Sequence, residues 1–287
     1  MKHRLRDGTL VEVDNGQDKF LKKLYGNAFG RFCLKPLTAR WVSRLGGWYM
    51  SRIFSRGMIK SFIKKNNIDM SQFQEANYRC YNDFFTRKIR PEARPVDMDA
   101  SHLISPCDCK LTVLPITRDC RLMLKNTEYT VESLLRDPEL AAAYEGGTAM
   151  IFRLCVDDYH RYCYVCDGEQ SDIVHIPGAF HTVNPIANDY FPIYKENTRE
   201  YTVLHTAGFG DIVTMEVGAL MVGKIVNHVG KAQVRRGEEK GFFQFGGSTI
   251  VLLMQKDTVR VDSDILENSA EGIETVVRYG EKIGTAY

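Results

Sequence analysis

No stretch of the 287 residues approaches the roughly 18 consecutive apolar positions of a membrane span, so no transmembrane helix is expected. The opening Met1-Lys2-His3-Arg4-Leu5-Arg6-Asp7 lacks the apolar core of a signal peptide, so the mature protein is expected to start near Met1 and remain in the cytoplasm. Cysteine is sparse for a disulfide scaffold, eight in all, and a cytosolic chain would keep these thiols reduced. Internal repeats and low-complexity segments are missing too. The most telling absence is of negative charge. Positions 19 to 68 hold no Asp or Glu and twelve Lys or Arg; with +2 for the whole chain, the remainder carries −10.

What is present begins with two close cysteine pairs, Cys107-x-Cys109 and Cys163-x-x-Cys166. Structural zinc sites usually join two such knuckles. Here the first spacing is too tight and both pairs sit in strand-like segments, so buried thiols are expected and no metal.

Residues 4–14 alternate around Asp7-Gly8 and suggest a short hairpin. Residues 18–70 read as short helices, punctuated by Gly26, Gly30, Pro36 and Gly46-Gly47. Arg52, Arg56, Lys60 and Lys64 recur every four residues, which predicts one helical stripe, with Ile53, Phe54, Met58, Ile59, Phe62 and Ile63 away from it. Arg40 and Arg44 extend the spacing upstream. Such a basic amphipathic helix can set its cations against anionic headgroups while its apolar face dips into the lipid boundary. The commoner use of an apolar helix face is packing on its own domain. The length of the acid-free stretch, and the presence of both Trp41 and Trp48 within it, favour an anionic membrane surface. Nucleic acid ranks last, because no nucleic-acid-binding signature accompanies the charge.

Residues 71–100 form a connector, ending in the turn-rich Arg90-Pro91-Glu92-Ala93-Arg94-Pro95. Residues 101–287 change texture to short β-branched runs at 111–116, 149–156, 201–204, 212–217, 220–226 and 249–254, separated by Gly, Asp and Asn. A helix is expected over 131–144, capped by Thr130, with Leu134, Leu135 and Leu140 inward. The fold class is therefore α+β: N-terminal amphipathic helices over 1–70, then a β-rich, mostly antiparallel catalytic domain.

The chemistry concentrates in Gly241-Phe242-Phe243-Gln244-Phe245-Gly246-Gly247-Ser248-Thr249-Ile250. A strand-like aromatic run enters a Gly-Gly-Ser-Thr corner and leaves as an apolar strand. Two glycines permit backbone angles denied to other residues and leave the Gly247 carbonyl sterically open. The Ser248 hydroxyl could attack that carbonyl if a base takes its proton. β-Elimination of the resulting ester would cut the chain, and hydrolysis of the dehydroalanine would leave a pyruvoyl group. A simple β-turn is the commoner use of such a corner.

The wider sequence resembles the phosphatidylserine decarboxylase family. The Gly-Gly-Ser-Thr segment is similar to that family's self-cleavage motif. Phe84-Phe85-Thr86-Arg87, Ser105-Pro106-Cys107-Asp108, Asp158-Tyr159-His160-Arg161-Tyr162, Asn197-Thr198-Arg199-Glu200 and Val217-Gly218-Ala219-Leu220-Met221-Val222-Gly223-Lys224-Ile225 resemble further elements, in the family's order. After Ser105-Pro106-Cys107-Asp108 the usual following glycine is Cys109. The resemblance implies that Asp108 and a histidine activate Ser248 in the manner of an Asp-His-Ser relay. Cleavage after Gly247 would give chains 1–247 and 248–287 that stay together as a heterodimer. The pyruvoyl group replacing Ser248 would form a Schiff base with the serine headgroup of a phospholipid substrate and accept the electrons released with carbon dioxide. Self-association into a homo-oligomer is left open; a peripheral position on the cytoplasmic face of the cell membrane is expected.

One position departs from the family pattern. Where a second histidine often follows His160 by three residues, this chain has Cys163. His160 itself is the preferred base for self-cleavage; a Cys163 thiolate and His181 are the alternatives. His3, His102, His175, His205 and His228 are expected to be hydrogen-bonded or surface residues, and Asp157 and Asp158 turn residues or local acceptors. Two rival functions remain: an unprocessed, non-catalytic lipid-binding relative, motivated by Cys163, and a pyruvoyl decarboxylase of a soluble amino acid, which a basic amphipathic N-terminus disfavours.

Overall fold

The computed structural model describes residues 2–12, 40–117, 122–124, 127–177, 198–218, 224–244 and 248–287. The expected hairpin forms from β1 (Lys2–Arg4) and β2 (Leu10–Glu12). It turns through Asp7-Gly8: Gly8 takes φ +87, and Asp7 Oδ1 accepts from Thr9 N at 2.8 Å. The helices expected over 18–39 lie outside the described residues, as do the side chains of Arg40, Trp41 and Arg44.

Helices α1 (Arg40–Met50), α2 (Met58–Lys65) and α3 (Tyr81–Phe85) follow, with a 3-10 turn at Ile53–Gly57 between the first two. The single stripe expected from Arg52 to Lys64 is thus divided between two elements. Ser55 is the cause: its buried hydroxyl donates to the Met50 and Arg52 carbonyls and accepts from Tyr81 N, which pins a bend there. Ile59 is buried, and Phe62 and Ile63 half-buried, against Tyr81, Phe84 and Phe85. Leu45, Trp48, Ile53, Phe54 and Met58 point the other way and are exposed.

From residue 102 the chain is β-rich and mostly antiparallel, as its texture suggested. The strands begin with β3 (His102–Ile104), β4 (Cys109–Pro115), β5 (Leu122–Leu124) and β6 (Thr127–Tyr129). After helices α4 (Val131–Leu135) and α5 (Pro138–Ala142) come β7 (Thr148–Leu154), β8 (Arg161–Cys163), β9 (Gly168–Gln170) and β10 (Val174–Ile176). Next are β11 (Arg199–His205), β12 (Asp211–Val217), β13 (Ile225–Asn227), β14 (Ala232–Val234), β15 (Glu239–Phe243) and β16 (Ser248–Met254). The last are β17 (Val259–Val261), helix α6 (Ser263–Ala270), β18 (Glu274–Val277) and β19 (Lys282–Ala286).

The one helix expected over 131–144 is two. Arg136 turns left-handed at φ 54, and Pro138, lacking an N–H, can only start a new helix, which Asp137 caps through Leu140 N at 3.0 Å. The Thr130 cap and the inward Leu134 and Leu135 are as expected.

Among the described residues eleven strands make the main sheet, in the order β14-β9-β11-β12-β16-β7-β4-β18-β1-β2 with β10 also on β11. β16 sits inside it between β12 and β7, and all seven of its residues are buried. Burial on both faces is why it reads as a continuous apolar run rather than an alternating one. A three-stranded sheet, β13-β15-β8, covers the face that carries Ile250 and its cross-strand neighbour Glu216.

Candidate active site

Four strand ends share one rim of the main sheet. β16 begins at Ser248 directly opposite Leu154, where β7 ends; β4 begins beside it at Cys109, opposite Val277 at the end of β18. Asp108 stands just beyond Cys109, so about two strand spacings, ~10 Å, separate its strand from that of Ser248. Residues 155–160 leave this same rim as the loop from β7 to β8.

Ser248 is fully buried, and its Oγ meets no hydrogen-bond partner among the described residues. An unsatisfied buried hydroxyl is costly and uncommon, and such groups collect where chemistry happens. Phe245, Gly246 and Gly247, on the other side of the expected cut, lie outside the described residues.

His160 is also fully buried. Its Nδ1 lies 2.9 Å from the Asp158 carbonyl, which can only accept, so Nδ1 carries the proton and Nε2 the lone pair. The His160 carbonyl accepts from Phe243 N at 2.9 Å, and Ser248 follows Phe243 by five positions. The chain alone therefore keeps Ser248 within about 18 Å of that bond.

Asp108 is held bidentately by Arg94, at 2.8 Å from Nε to Oδ1 and 2.7 Å from Nη2 to Oδ2, and Oδ1 also accepts from Tyr279 N at 2.8 Å. The preceding turn reaches β8: Cys163 N donates to the Pro106 carbonyl at 2.9 Å, and Cys163 Sγ lies 3.9 Å from the Ser105 carbonyl. The turn that precedes Asp108 thus meets β8 at Cys163, three residues after His160. Burial pushes the Cys163 thiol up to about 12, which leaves almost no thiolate at neutral pH. His181 lies outside the described residues.

The Phe84–Arg87 motif, which carried no assigned role, backs the histidine loop. The Phe85 ring packs on the His160 ring with centroids 4.1 Å apart. Thr86 O accepts from Arg161 Nε at 2.9 Å, and Arg87, buried between the Phe73 and Phe84 rings, reaches the Asp157 carbonyl at 3.4 Å. Asp158 accepts from Cys155 N at 2.7 Å and pairs with half-buried Lys110 at 2.8 Å. Burial opposes the Lys110 charge, but Asp158 and its neighbours outweigh this and raise its pKa.

Arg94, Lys110, Phe85 and Tyr279 were not foreseen as parts of the site. Arg94 could have been suspected, because Pro91 and Pro95 fix the backbone around it. Tyr279 contributes a backbone N–H, which no side-chain pattern announces. On the Ser248 face, Lys240 and Glu216 form a fully buried ion pair at 2.5 Å, joined by Asn227 and the Tyr162 hydroxyl. Burial raises the Glu216 pKa even against the Lys240 charge. Cys107, Cys109, Cys163 and Cys166 are buried free thiols. Among the described residues no three His, Cys, Asp or Glu side chains are grouped to hold a metal.

A family model described as phosphatidylserine decarboxylase matches residues 81–285. The chain is 47% identical over 274 residues to phosphatidylserine decarboxylase proenzyme 2 of Clostridium acetobutylicum, covering 95% of this chain and 93% of that one. It is 38% identical to the phosphatidylserine decarboxylase proenzyme of Clostridium botulinum strain 657, with 93% of each chain covered. The corresponding proenzyme of Desulfitobacterium hafniense strain DCB-2 is 38% identical, over 94% of this chain and 93% of its own.

Proposed function

The chain belongs to the phosphatidylserine decarboxylase family, and from that premise we propose that Ser248 cuts the chain and becomes its cofactor. The activity is that of a carboxy-lyase, converting phosphatidylserine to phosphatidylethanolamine and carbon dioxide. The observation that carries the site assignment is the buried hydroxyl of Ser248, without a partner among the described residues, at the head of β16 on the rim that also bears Asp108 and the His160 loop.

In this reading His160 Nε2 takes the proton of Ser248 Oγ, and Oγ attacks the Gly247 carbonyl carbon. The Gly247–Ser248 C–N bond breaks, leaving an ester on Oγ and a free amine on Ser248. Loss of the Ser248 Cα proton then expels the Gly247 carboxylate from Cβ. Water adds to the dehydroalanine's imine form and ammonia departs, leaving a ketone. The Asp158 carbonyl keeps the Nδ1 proton in place, so Nε2 stays the basic nitrogen. Asp108, oriented by Arg94 and Tyr279 N, contributes negative charge that favours the imidazolium rather than a direct bond to Nδ1. Cys163 stays neutral. The buried position of Ser248 suits a covalent pyruvoyl group, whose carbonyl supplies an electron sink for loss of the substrate carboxylate.

The cut leaves chains 1–247 and 248–287 as a heterodimer, because β16 lies between two strands of the longer chain. Of the N-terminal region, residues 40–70 face the lipid while the hairpin of β1 and β2 joins the main sheet; 71–100 connect, and 101–287 carry the chemistry. No helix among the described residues is long and apolar enough to cross a membrane. Exposed Leu45, Trp48, Ile53, Phe54 and Met58, beside exposed Arg52, Arg56 and Lys60, support peripheral binding to an anionic surface on the cytoplasmic side.

Intact mass under denaturing conditions tests the reading. Fragments ending at 247 and starting at 248 are expected, and none from Ser248→Ala. A persistent 32.8 kDa chain would instead support an unprocessed lipid-binding relative. Activity on free amino acids but not on dispersed lipid would overturn the substrate.

A further inference from the structure

The first residues of the chain bind its last ones. β1 pairs in parallel with β18, His3 opposite Glu274 and Arg4 opposite Thr275. Arg4 Nη1 donates to Asn268 Oδ1 at 2.6 Å and Nη2 to Glu271 at 2.9 Å. Arg6 is the hub. Its Nε reaches Asp264 at 2.5 Å, Nη2 reaches Asp262 at 2.8 Å, and Nη1 donates to the Lys282 carbonyl at 2.7 Å and lies 3.7 Å from Glu281. His3 Nδ1 stands 3.6 Å from Glu274, which Arg153 also grips. Every one of these partners of His3, Arg4 and Arg6 lies downstream of residue 248.

Resting on the self-cleavage reading above, we propose that the N-terminal hairpin is a clasp which holds residues 262–282 of the small chain once the peptide link at 247–248 is gone. β16 is anchored by strands on both sides whatever the hairpin does. β18 is different: one of its edges is covered by β4, and the other only by β1. The clasp also bears on the site. Residues 278–281 join β18 to β19, and within this turn Tyr279 N donates to Asp108 while the Tyr279 hydroxyl donates to the Gly237 carbonyl. Arg6 holds one flank of that turn, at Glu281 and Lys282, and ties it to Asp262 and Asp264 at the start of α6. The large chain's N-terminus therefore steadies the small-chain segment that orients the large chain's Asp108.

The test compares the processed protein with Arg4→Gln/Arg6→Gln, and with the same pair in a Ser248→Ala background that cannot be cut. Native size exclusion in graded urea reads release of the small chain, and denaturing intact mass reads whether the cut occurred. The double variant is expected to be cut and to release the small chain about tenfold faster or more, since loss of interface contacts acts mainly on dissociation. Processed variant that keeps its small chain as long as the parent overturns the clasp. Parent that stays uncut by mass overturns the cleavage reading and the clasp with it, so the two failures are told apart. The parent alone gives a second measurement: ionic contacts at a half-exposed site are screened, so raising sodium chloride should speed release. Release that is unchanged or slowed by salt counts against an ionic clasp.

Discussion

Replacing Cys163 by alanine should leave self-cleavage nearly intact, whereas replacing His160 should abolish it. The Cys163 thiol is buried on β8 and burial pushes it up to about 12, so at pH 7 only on the order of one molecule in 10⁵ holds a thiolate there. A base so rarely available cannot carry the reaction. Cys163→Ala removes one buried sulfur and should cost about 1–2 kcal/mol of stability through the small void it leaves. Its processing rate should stay within about threefold of the parent. His160→Ala removes the nitrogen assigned to proton transfer, and a rate loss on the order of 10²–10⁴ is expected. The assay is the time course of the 248–287 fragment by denaturing mass spectrometry, after rapid dilution of unfolded chain into refolding buffer. The pH profile provides a second discriminant. With a thiol near 12 as base the rate would climb about tenfold per pH unit across the accessible range. With the His160 imidazole as base no such steady climb is expected. A folded Cys163→Ala that is not cut, together with a His160→Ala that is, would refute the assignment.

Three further outcomes follow from the same structure. Lys240→Met should strand the fully buried Glu216 carboxylate and cost about 3–5 kcal/mol, read as a lower urea midpoint; adding Glu216→Leu should recover most of it, and no recovery would mean the loss is not electrostatic. Phe85→Ala should slow cleavage by more than tenfold, because the ring that backs His160 is lost; Phe85→Leu should restore part of the rate, and equal rates in both would remove the motif from the site. At high pH the Cys163 thiol should weaken the fold. Its pKa is raised from 9.0 to about 12, so the folded form keeps a proton that the unfolded form sheds. Stability from this source is intact below pH 9 and lost progressively from there towards 12; thermal melts of Cys163→Ala should show a flatter decline, and identical slopes would contradict the burial.

The hairpin at Asp7-Gly8, the strand runs and the Thr130 cap were legible because each rests on local rules: turn residues, β-branched stretches, a capping hydroxyl. The stripe from Arg52 to Lys64 was misread as one helix because the Ser55–Tyr81 contact that bends it joins positions 26 apart. The single helix over 131–144 failed on a local signal that was there to be read, Pro138. Ser248 was singled out from its two glycines and its neighbouring motifs, and the order of those motifs along the chain agreed with family membership.

The sequence by itself determined the family, the β-rich class and the chemically special corner at Gly247-Ser248, since these depend on residue identity and spacing. Only the tertiary structure decided the company Ser248 keeps. Sheet register set Ser248 and Asp108 on one rim, burial pushed the Cys163 thiol up, and strand pairing brought Arg6 onto the segment around Tyr279. Burial and register are sums over residues distant in the chain, so no single stretch of sequence contains them.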